Sequence, residues 1–361
     1  MFRRYFVLAA ILATSTFARA DGPDEIVAER LKRSPTDVAI QLSRRYGHSL
    51  KQVQYIPAVA LIGRLRLGEL TGDASHREEI DKLVAPFRAG SQKAIGDKPN
   101  GSDLAGHLLF GELALRTKDE TLIALTKVAA DFAFDAQGQP REAAPFHNEM
   151  SDAVFMSCPL LTQVGRLTGE AKYHDMAVRH LAFMQKLCLR KDGLYRHSPL
   201  DEAAWGRGNG FPALGLAWSL GDLPREHSRR AEMLASLQNH LTALRPHQDA
   251  TGMWHQVIDH PGSYPELTAT CMITFAMLRG MREGWLERET FEPVVRKAWP
   301  AISARIGDDG SLFGVCESTG KQPNLQAYLD RKAIVGPDDR GGAMALLCAT
   351  EMSAMEKDVK R

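Results

Sequence analysis

Asp249-Ala250-Thr251-Gly252-Met253-Trp254-His255-Gln256 is a turn followed by a short aromatic segment, set between two runs of helical periodicity. The same punctuation recurs at Asp135-Ala136-Gln137-Gly138, Asp192-Gly193-Leu194-Tyr195-Arg196-His197 and Asp309-Gly310-Ser311-Leu312-Phe313-Gly314. Gly138, Gly193, Gly252 and Gly310 lie 55, 59 and 58 positions apart. A near-constant period of that size marks a repeated supersecondary unit. Helical periodicity fills the intervals. Twelve segments carry it, near 25–46, 53–70, 76–90, 103–117, 119–134, 150–167, 170–187, 203–220, 226–244, 264–284, 288–305 and 341–356. The unit is therefore a helical hairpin plus a small turn or strand. An open solenoid of such units needs capping repeats, whereas a closed ring buries its own ends. The expected fold is an all-α, double-layered (α/α)6 toroid of six helical hairpins, with an open α-solenoid as the competing arrangement.

Residues 1–20 have the make-up of a signal peptide: Arg3 and Arg4, an apolar stretch from Tyr5 to Leu12, and Ala18-Arg19-Ala20. Residues 21–361 then form a single catalytic domain, since no Pro/Ser-rich linker or low-complexity segment divides them. The expected location is periplasmic or secreted. The apolar stretches are too short to span a bilayer. Lys and Arg number 45 against 44 Asp and Glu, so no charge excess points to nucleic acid or a membrane surface. The five cysteines are widely spaced with no CxxC pair. One or two disulfides fit an exported chain, while Cys158 and Cys271, inside apolar helical runs, read as buried thiols.

If alternate helices form the inner layer, their polar starts fall into register at one mouth. These are Asp103; Glu149 and Asp152; Trp205 and Arg207; Tyr264 and Glu266; Asp339 and Arg340. The segments bearing His197, Trp254, His255 and Gln256 border the same mouth. Several helix N-termini around one funnel suit an anionic ligand. The stretch Phe146–Leu161 is the most informative of them: His147, Asn148, Glu149 and Asp152 precede a fully apolar helix. Ser151 is the expected N-cap, which places Asp152 in the first turn, as a helix-end charge or as a catalytic acid. Arg207 fits a structural pairing with Asp201 or Glu202 and equally a bidentate grip on a substrate carboxylate. Trp205 and Trp254 fit either core packing or stacking on a sugar ring.

HExxH, GxSxG, P-loop and GxGxxG motifs are all absent. Gly206-Arg207-Gly208-Asn209-Gly210 lacks a preceding strand, so its glycines serve close approach of a ligand or a neighbouring helix. The histidines show no ligand-like spacing on one helix, so neither a metal nor a cofactor is expected.

Asp152-Ala153-Val154-Phe155-Met156-Ser157-Cys158-Pro159, Gly193 to His197, Trp205 to Gly210 and Trp254 to Val257 together resemble the unsaturated glycuronyl hydrolases. Within them the chain is most similar to the unsaturated rhamnogalacturonyl hydrolases of glycoside hydrolase family 105, related to family 88. Ser263 to Glu266, Asp309-Gly310 and Asp339 to Ala343 extend the likeness over about residues 100 to 355. The resemblance implies the same toroid. It also implies an oligosaccharide substrate whose terminal uronic acid carries the C4=C5 double bond left by a polysaccharide lyase. The implied reaction is hydration of that bond, after which the hemiketal opens and releases the sugar. Asp152 takes the acid/base position and Asp103 that of a second carboxylate. Glu149, His197, Trp205, Arg207, Asn209, Trp254 and His255 are the implied substrate contacts. Asp103-Leu104 and Phe211 stand where the family has Asp-His and Trp. Two other classes use the same ring: a sugar epimerase with paired histidines, and a glycan-binding protein without catalysis.

Overall fold

The four glycine turns share one geometry. In the computed structural model, which describes residues 23–359, Gly138, Gly193, Gly252 and Gly310 all have positive φ, at 76°, 85°, 101° and 77°. Each donates its N–H to the carbonyl three residues back: Asp135, Arg190, Asp249 and Gly307. The side chains of Asp135, Asp192, Asp249 and Asp309 then accept the N–H two residues further on. Only glycine enters the left-handed region freely, and Asp closes such turns through its own carboxylate. The repeat read from the sequence is thus a repeated Asp-and-glycine turn that ends one helical hairpin and starts the next. The leader expected at 1–20 lies outside the described residues.

The helices, in chain order, are α1 (Pro23–Lys32), α2 (Pro35–Ser43), α3 (Tyr55–Thr71), α4 (Ser75–Arg88) and α5 (Gly101–Gly106). After them come α6 (Leu108–Thr117), α7 (Glu120–Asp131), α8 (Ala153–Thr168), α9 (Ala171–Cys188) and α10 (Gly206–Asp222). The rest are α11 (Arg230–Leu244), α12 (Leu267–Arg282), α13 (Arg288–Ala304), α14 (Leu325–Leu329) and α15 (Asp339–Val359). The inner ring runs α3, α5 with α6, α8, α10, α12, α15, and closes where α15 packs on α3. Outside it, α4, α7, α9, α11 and α13 each cover the inner helix they follow, and α2 covers α15. Six hairpins close the ring, as the glycine period predicts. The layering follows from composition. Every residue of α10 except Gly221 is buried, and so is α8 from Ala153 to Gly165. A helix apolar all round must be surrounded.

Boundaries differ from expectation for identifiable reasons. The segment near 25–46 is two helices, because Ser34 caps α2 in a capping box with Asp37 and Pro35 takes its first turn. The segment near 103–117 breaks at His107, and it starts at Gly101 because Asn100 is the cap. Ser151 is not the N-cap expected of it: that position belongs to Asp152, whose side chain makes no capping bond. The short segment after Asp309-Gly310 is a strand, β1 (Leu312–Cys316), and it pairs antiparallel, through a bulge beside Gly314, with β2 (Ala333–Gly336), which the sequence reading misses. Residues 317–332, including α14, form an excursion between these strands. All five cysteines are buried free thiols, as expected for Cys158 and Cys271.

The glycines of Gly206 to Gly210 serve packing. A Cβ at Gly206 would lie 2.7 Å from the His255 carbonyl oxygen, and one at Gly210 would lie 2.8 Å from the Met272 sulfur.

At the mouth remote from Asp152, the inner helices end in a basin of ≈ 660 Å³. Buried Glu112 takes Arg66 and Arg116 there, and buried Glu351 takes Arg279 and Arg282. Arginines suit helix C-termini, where unpaired carbonyls gather negative charge. Burial alone would raise the Glu351 carboxyl, but the two guanidiniums overcome it and hold it down to about 2. Its contribution is complete above the unfolded value of 4.5 and is lost as pH falls toward about 2. Glu351→Ala leaves two arginines without their common partner, and is expected to cost about 3–5 kcal/mol in urea unfolding at neutral pH. A cost below about 1 kcal/mol would mean that solvent already screens the cluster.

Candidate active site

Asp152 stands at the start of α8 and is only 3% exposed. The chain reaches it through a strained loop. Phe146, Asn148 and Glu149 all have positive φ, at 63°, 48° and 57°. Each costs about 1–2 kcal/mol for a residue with a Cβ, so other contacts must impose the shape. The Glu149 N–H donates to His147 Nδ1 at 2.9 Å. Lys321 donates to the Asn148 carbonyl at 2.9 Å and pairs with the Glu149 carboxylate at 3.2 Å. Ser151, freed from capping, donates its N–H to the His197 carbonyl and its hydroxyl to the Gly208 carbonyl. That double clamp ties the start of α8 to the start of α10 and fixes the direction of the Asp152 side chain.

Asp152 Oδ1 lies 3.3 Å from His197 Nε2. The other His197 nitrogen, Nδ1, meets the Tyr328 hydroxyl at 2.8 Å. Trp205 packs on His197, with ring centroids 4.4 Å apart. Two guanidiniums lie over the indole: Arg207 at 4.7 Å and Arg331 at 4.8 Å. Arg207 is completely buried and donates to the carbonyls of Cys316 and Ser318. Its carboxylate neighbour is Glu266 at 3.8 Å. The expected structural partners are engaged elsewhere, Glu202 with Arg196 and Asp201 with the Ala203 N–H. Glu266 caps α12 through Ala269 and accepts the Cys316 N–H at 2.9 Å. One buried carboxylate therefore joins α10, α12 and β1.

A cavity of ≈ 200 Å³ opens beside Asp152, lined by Tyr55, Gly101, Ser102, His147, Asn148, Met156, Thr319 and Gly320 among others. Burial pushes the Tyr55 phenol up, with Arg340 and Arg207 pulling it down and Asp152 adding to the rise. Asp103 follows the lining residues Asn100, Gly101 and Ser102 at the start of α5 but does not itself line the cavity. Its carboxylate accepts the Asn100 N–H at 2.9 Å and the Gln54 amide at 3.1 Å. Among the described residues no group of three or more His, Cys, Asp and Glu is placed to hold a metal ion.

Asp152, His197, Trp205 and Arg207 are therefore brought into contact, while Asp103 and Glu149 are chain neighbours of cavity-lining residues and not themselves part of the lining. Asn209, Trp254 and His255 are placed differently. Asn209 bonds both backbone groups of Tyr195 and the Trp205 carbonyl. The Trp254 indole donates to the Leu244 carbonyl at 2.7 Å inside the core. His255 meets Asp249 of its own turn at 2.9 Å. Sequence reasoning passes over Tyr328 and Arg331, because the excursion that holds them has neither a period nor a motif.

A closed helical ring with a buried carboxylate beside a cavity at one mouth defines the class, and comparison with known proteins defines the family. Residues 24–356 match Glycosyl Hydrolase Family 88, and the chain belongs to that family. It is 28% identical over 193 residues to an unsaturated 3S-rhamnoglycuronyl hydrolase of Formosa agariphila, covering 48% of this chain and 50% of that one. It is 26% identical over 217 residues to the unsaturated rhamnogalacturonyl hydrolase YesR of Bacillus subtilis, covering 58% of each. The chain spans about half the length of the curated relatives it matches. The structure of a possible GH105 member from Salmonella enterica superposes with TM-score 0.74 at 21% identity, over 97% of this chain and 100% of that one. The unsaturated glucuronyl hydrolase of Bacillus sp. GL1 does so with TM-score 0.60 at 16% identity, over 90% and 95%. At those identities the superpositions bear on the fold, and they agree with the ring.

The loop before Asp152 also rests on a buried histidine. The Ala144 N–H donates to His180 Nδ1 at 3.2 Å, and His180 Nε2 meets the Ala153 carbonyl at 3.0 Å. Nδ1 is the acceptor and Nε2–H the donor, so the ring is neutral. Burial lowers His180 from 6.5 to about 4. The unfolded chain binds this proton first as pH falls, so stability is present at neutral pH and eroded between 6.5 and about 4. Unfolding measured from about pH 7 to about pH 4 should show wild type losing about 3 kcal/mol more than His180→Asn. Parallel slopes for the two proteins would show that His180 is protonated in the fold.

Proposed function

We propose that this chain removes a terminal C4=C5 unsaturated uronic acid from lyase-generated oligosaccharides by hydrating the double bond, with Asp152 as general acid/base. The observation that carries the reading is a buried carboxylate at a helix start that caps nothing and faces a small cavity. At ≈ 200 Å³ the cavity is smaller than the roughly 300–1,000 Å³ of sites for drug-sized ligands, which suits one terminal sugar unit. The similarity to an unsaturated 3S-rhamnoglycuronyl hydrolase of Formosa agariphila and an unsaturated rhamnogalacturonyl hydrolase of Bacillus subtilis supports the substrate class. The leader-like residues 1–20 support an exported enzyme that meets such oligosaccharides outside the cytoplasm.

In the step proposed, the Asp152 carboxyl gives its proton to C4 and the resulting carboxylate takes one from the water that attacks C5. The C5–O5 bond of the hemiketal then breaks to leave a ketone at C5. C1 becomes a hemiacetal carbon that expels the remaining sugar. The carboxyl ends the cycle protonated, so atoms and charge balance. His197 is the group in reach of Asp152. Arg207 keeps an unpartnered buried Nε, which supports a role for its charge beneath the substrate carboxylate. Trp205 holds His197 and the Arg207 guanidinium in place, while Asp103, next to Ser102, and Glu149, next to Asn148 and Met150, are neighbours of the cavity lining. Asn209 holds the Trp205 backbone, whereas Trp254 and His255 make their contacts at Leu244 and Asp249, away from the cavity.

Asp152→Asn keeps the shape of the side chain and removes its transferable proton. With lyase-made unsaturated disaccharides, loss of the ultraviolet absorbance of the double bond reports turnover. The variant should fold normally and lose roughly 10²–10⁴-fold in kcat/KM. Full activity would assign the chemistry to other groups, as a histidine-based epimerase requires. Binding without turnover by the wild type would mark a glycan-binding protein.

A further inference from the structure

Tyr328 comes from α14, in the excursion between β1 and β2, and is 1% exposed. Its hydroxyl oxygen accepts the Gln322 N–H at 3.0 Å and lies 2.8 Å from His197 Nδ1. A phenol has one hydrogen to give and two lone pairs to accept with. If the hydroxyl donates to Nδ1, that hydrogen and the Gln322 N–H are both used, and the imidazole proton must sit on Nε2. If Nδ1–H donated instead, the hydroxyl hydrogen would lack an acceptor among the described residues. The Nε2 lone pair would then face the Asp152 oxygen at 3.3 Å. Only the first arrangement leaves no buried polar group opposed.

Polar and charged groups face the ring from several elements. His197 is completely buried. Asp152 faces it from the start of α8, and Tyr328 faces it from α14. Arg207 of α10 and Arg331, just after α14, lie over the Trp205 that packs on it. On the far side of Asp152 stand Tyr55 of α3 and Arg340 of α15.

We propose that Tyr328 is a positioning residue: its hydroxyl fixes His197 as the neutral Nε2–H tautomer, and so directs the acid proton of Asp152 to Oδ2. Oδ1 is the oxygen shut off from solvent, which leaves Oδ2 to meet the cavity. An oxygen that receives Nε2–H cannot also be the one that carries the carboxyl hydrogen toward that nitrogen. The proton is thereby held on the oxygen that reaches the substrate. At 3.3 Å the two atoms face each other without yet making a hydrogen bond, as catalytic contacts commonly do before substrate closes the site. This inference rests on Asp152 being the acid/base, yet its test does not need turnover.

The full-length protein, labelled with nitrogen-15 histidine, would be studied by long-range proton–nitrogen correlation, with His197 assigned from a His197→Asn sample. The expected spectrum has a neutral ring protonated at Nε2 across the pH range of activity. Tyr328→Phe keeps the ring and removes the donor, so His197 should gain the Nδ1–H form and protonate more readily. The acid limb of kcat/KM should then move up by about one pH unit, with kcat reduced and KM nearly unchanged. A wild-type His197 protonated at Nδ1, or a Tyr328→Phe protein with unaltered tautomer and pH profile, would overturn the proposal. The wild-type spectrum decides the matter even if the variant does not fold. An active Asp152→Asn enzyme would instead remove the reading of Asp152 and leave the tautomer standing.

Discussion

The inner helices leave no face for water, and that constraint organises everything else. With Val154, Phe155, Leu160 and Leu161 on one helix and Phe211, Leu214, Leu216 and Trp218 on the next, each needs apolar neighbours on every side. A ring of six, covered by six, supplies them without exposed ends. Charge is then excluded from the middle of the barrel and confined to its two mouths. At the mouth remote from Asp152, helix C-termini meet arginine–carboxylate pairs that neutralise each other. At the other, helix starts bring together Asp152, Arg207, Glu266 and Tyr55, and there the polar groups are not all mutually satisfied.

Glu266 is what couples the ring to its insertion. It caps α12, receives the Cys316 N–H of β1 and stands beside Arg207. Through it the strand pair is anchored over the mouth, and residues 317–332 are carried onto the site. Thr319 and Gly320 then form part of the cavity wall, Lys321 ties down the strained loop at Asn148 and Glu149, and Tyr328 reaches His197. An excursion without regular structure thus supplies polar contacts that the ring alone lacks.

The ring was legible because it is written in a spacing. Four turns need a positive φ at one place, glycine provides it, and Gly138, Gly193, Gly252 and Gly310 therefore recur at a constant interval. Asp152, Trp205 and Arg207 were legible because polar groups at the starts of largely apolar helices stand out, and His197 because it follows the glycine turn at Gly193. Ser151 was misassigned because a serine before an apolar run suits a cap, while the tertiary partner at the Gly208 carbonyl is invisible in sequence. Trp254 shows the same limit: its indole points to Leu244, and nothing local distinguishes it from Trp205. Tyr328 could not be found, since its role depends on a strand pairing between residues 312–316 and 333–336.

The central claim is that water adds at C5 of the unsaturated ring and not at the anomeric carbon. A single turnover in oxygen-18 water, read at once by mass spectrometry and carbon-13 isotope shifts, tests it directly. The account predicts label on the C5 oxygen of the released keto sugar. Label confined to C1 would contradict it and would make Asp152 part of an ordinary glycosidic displacement.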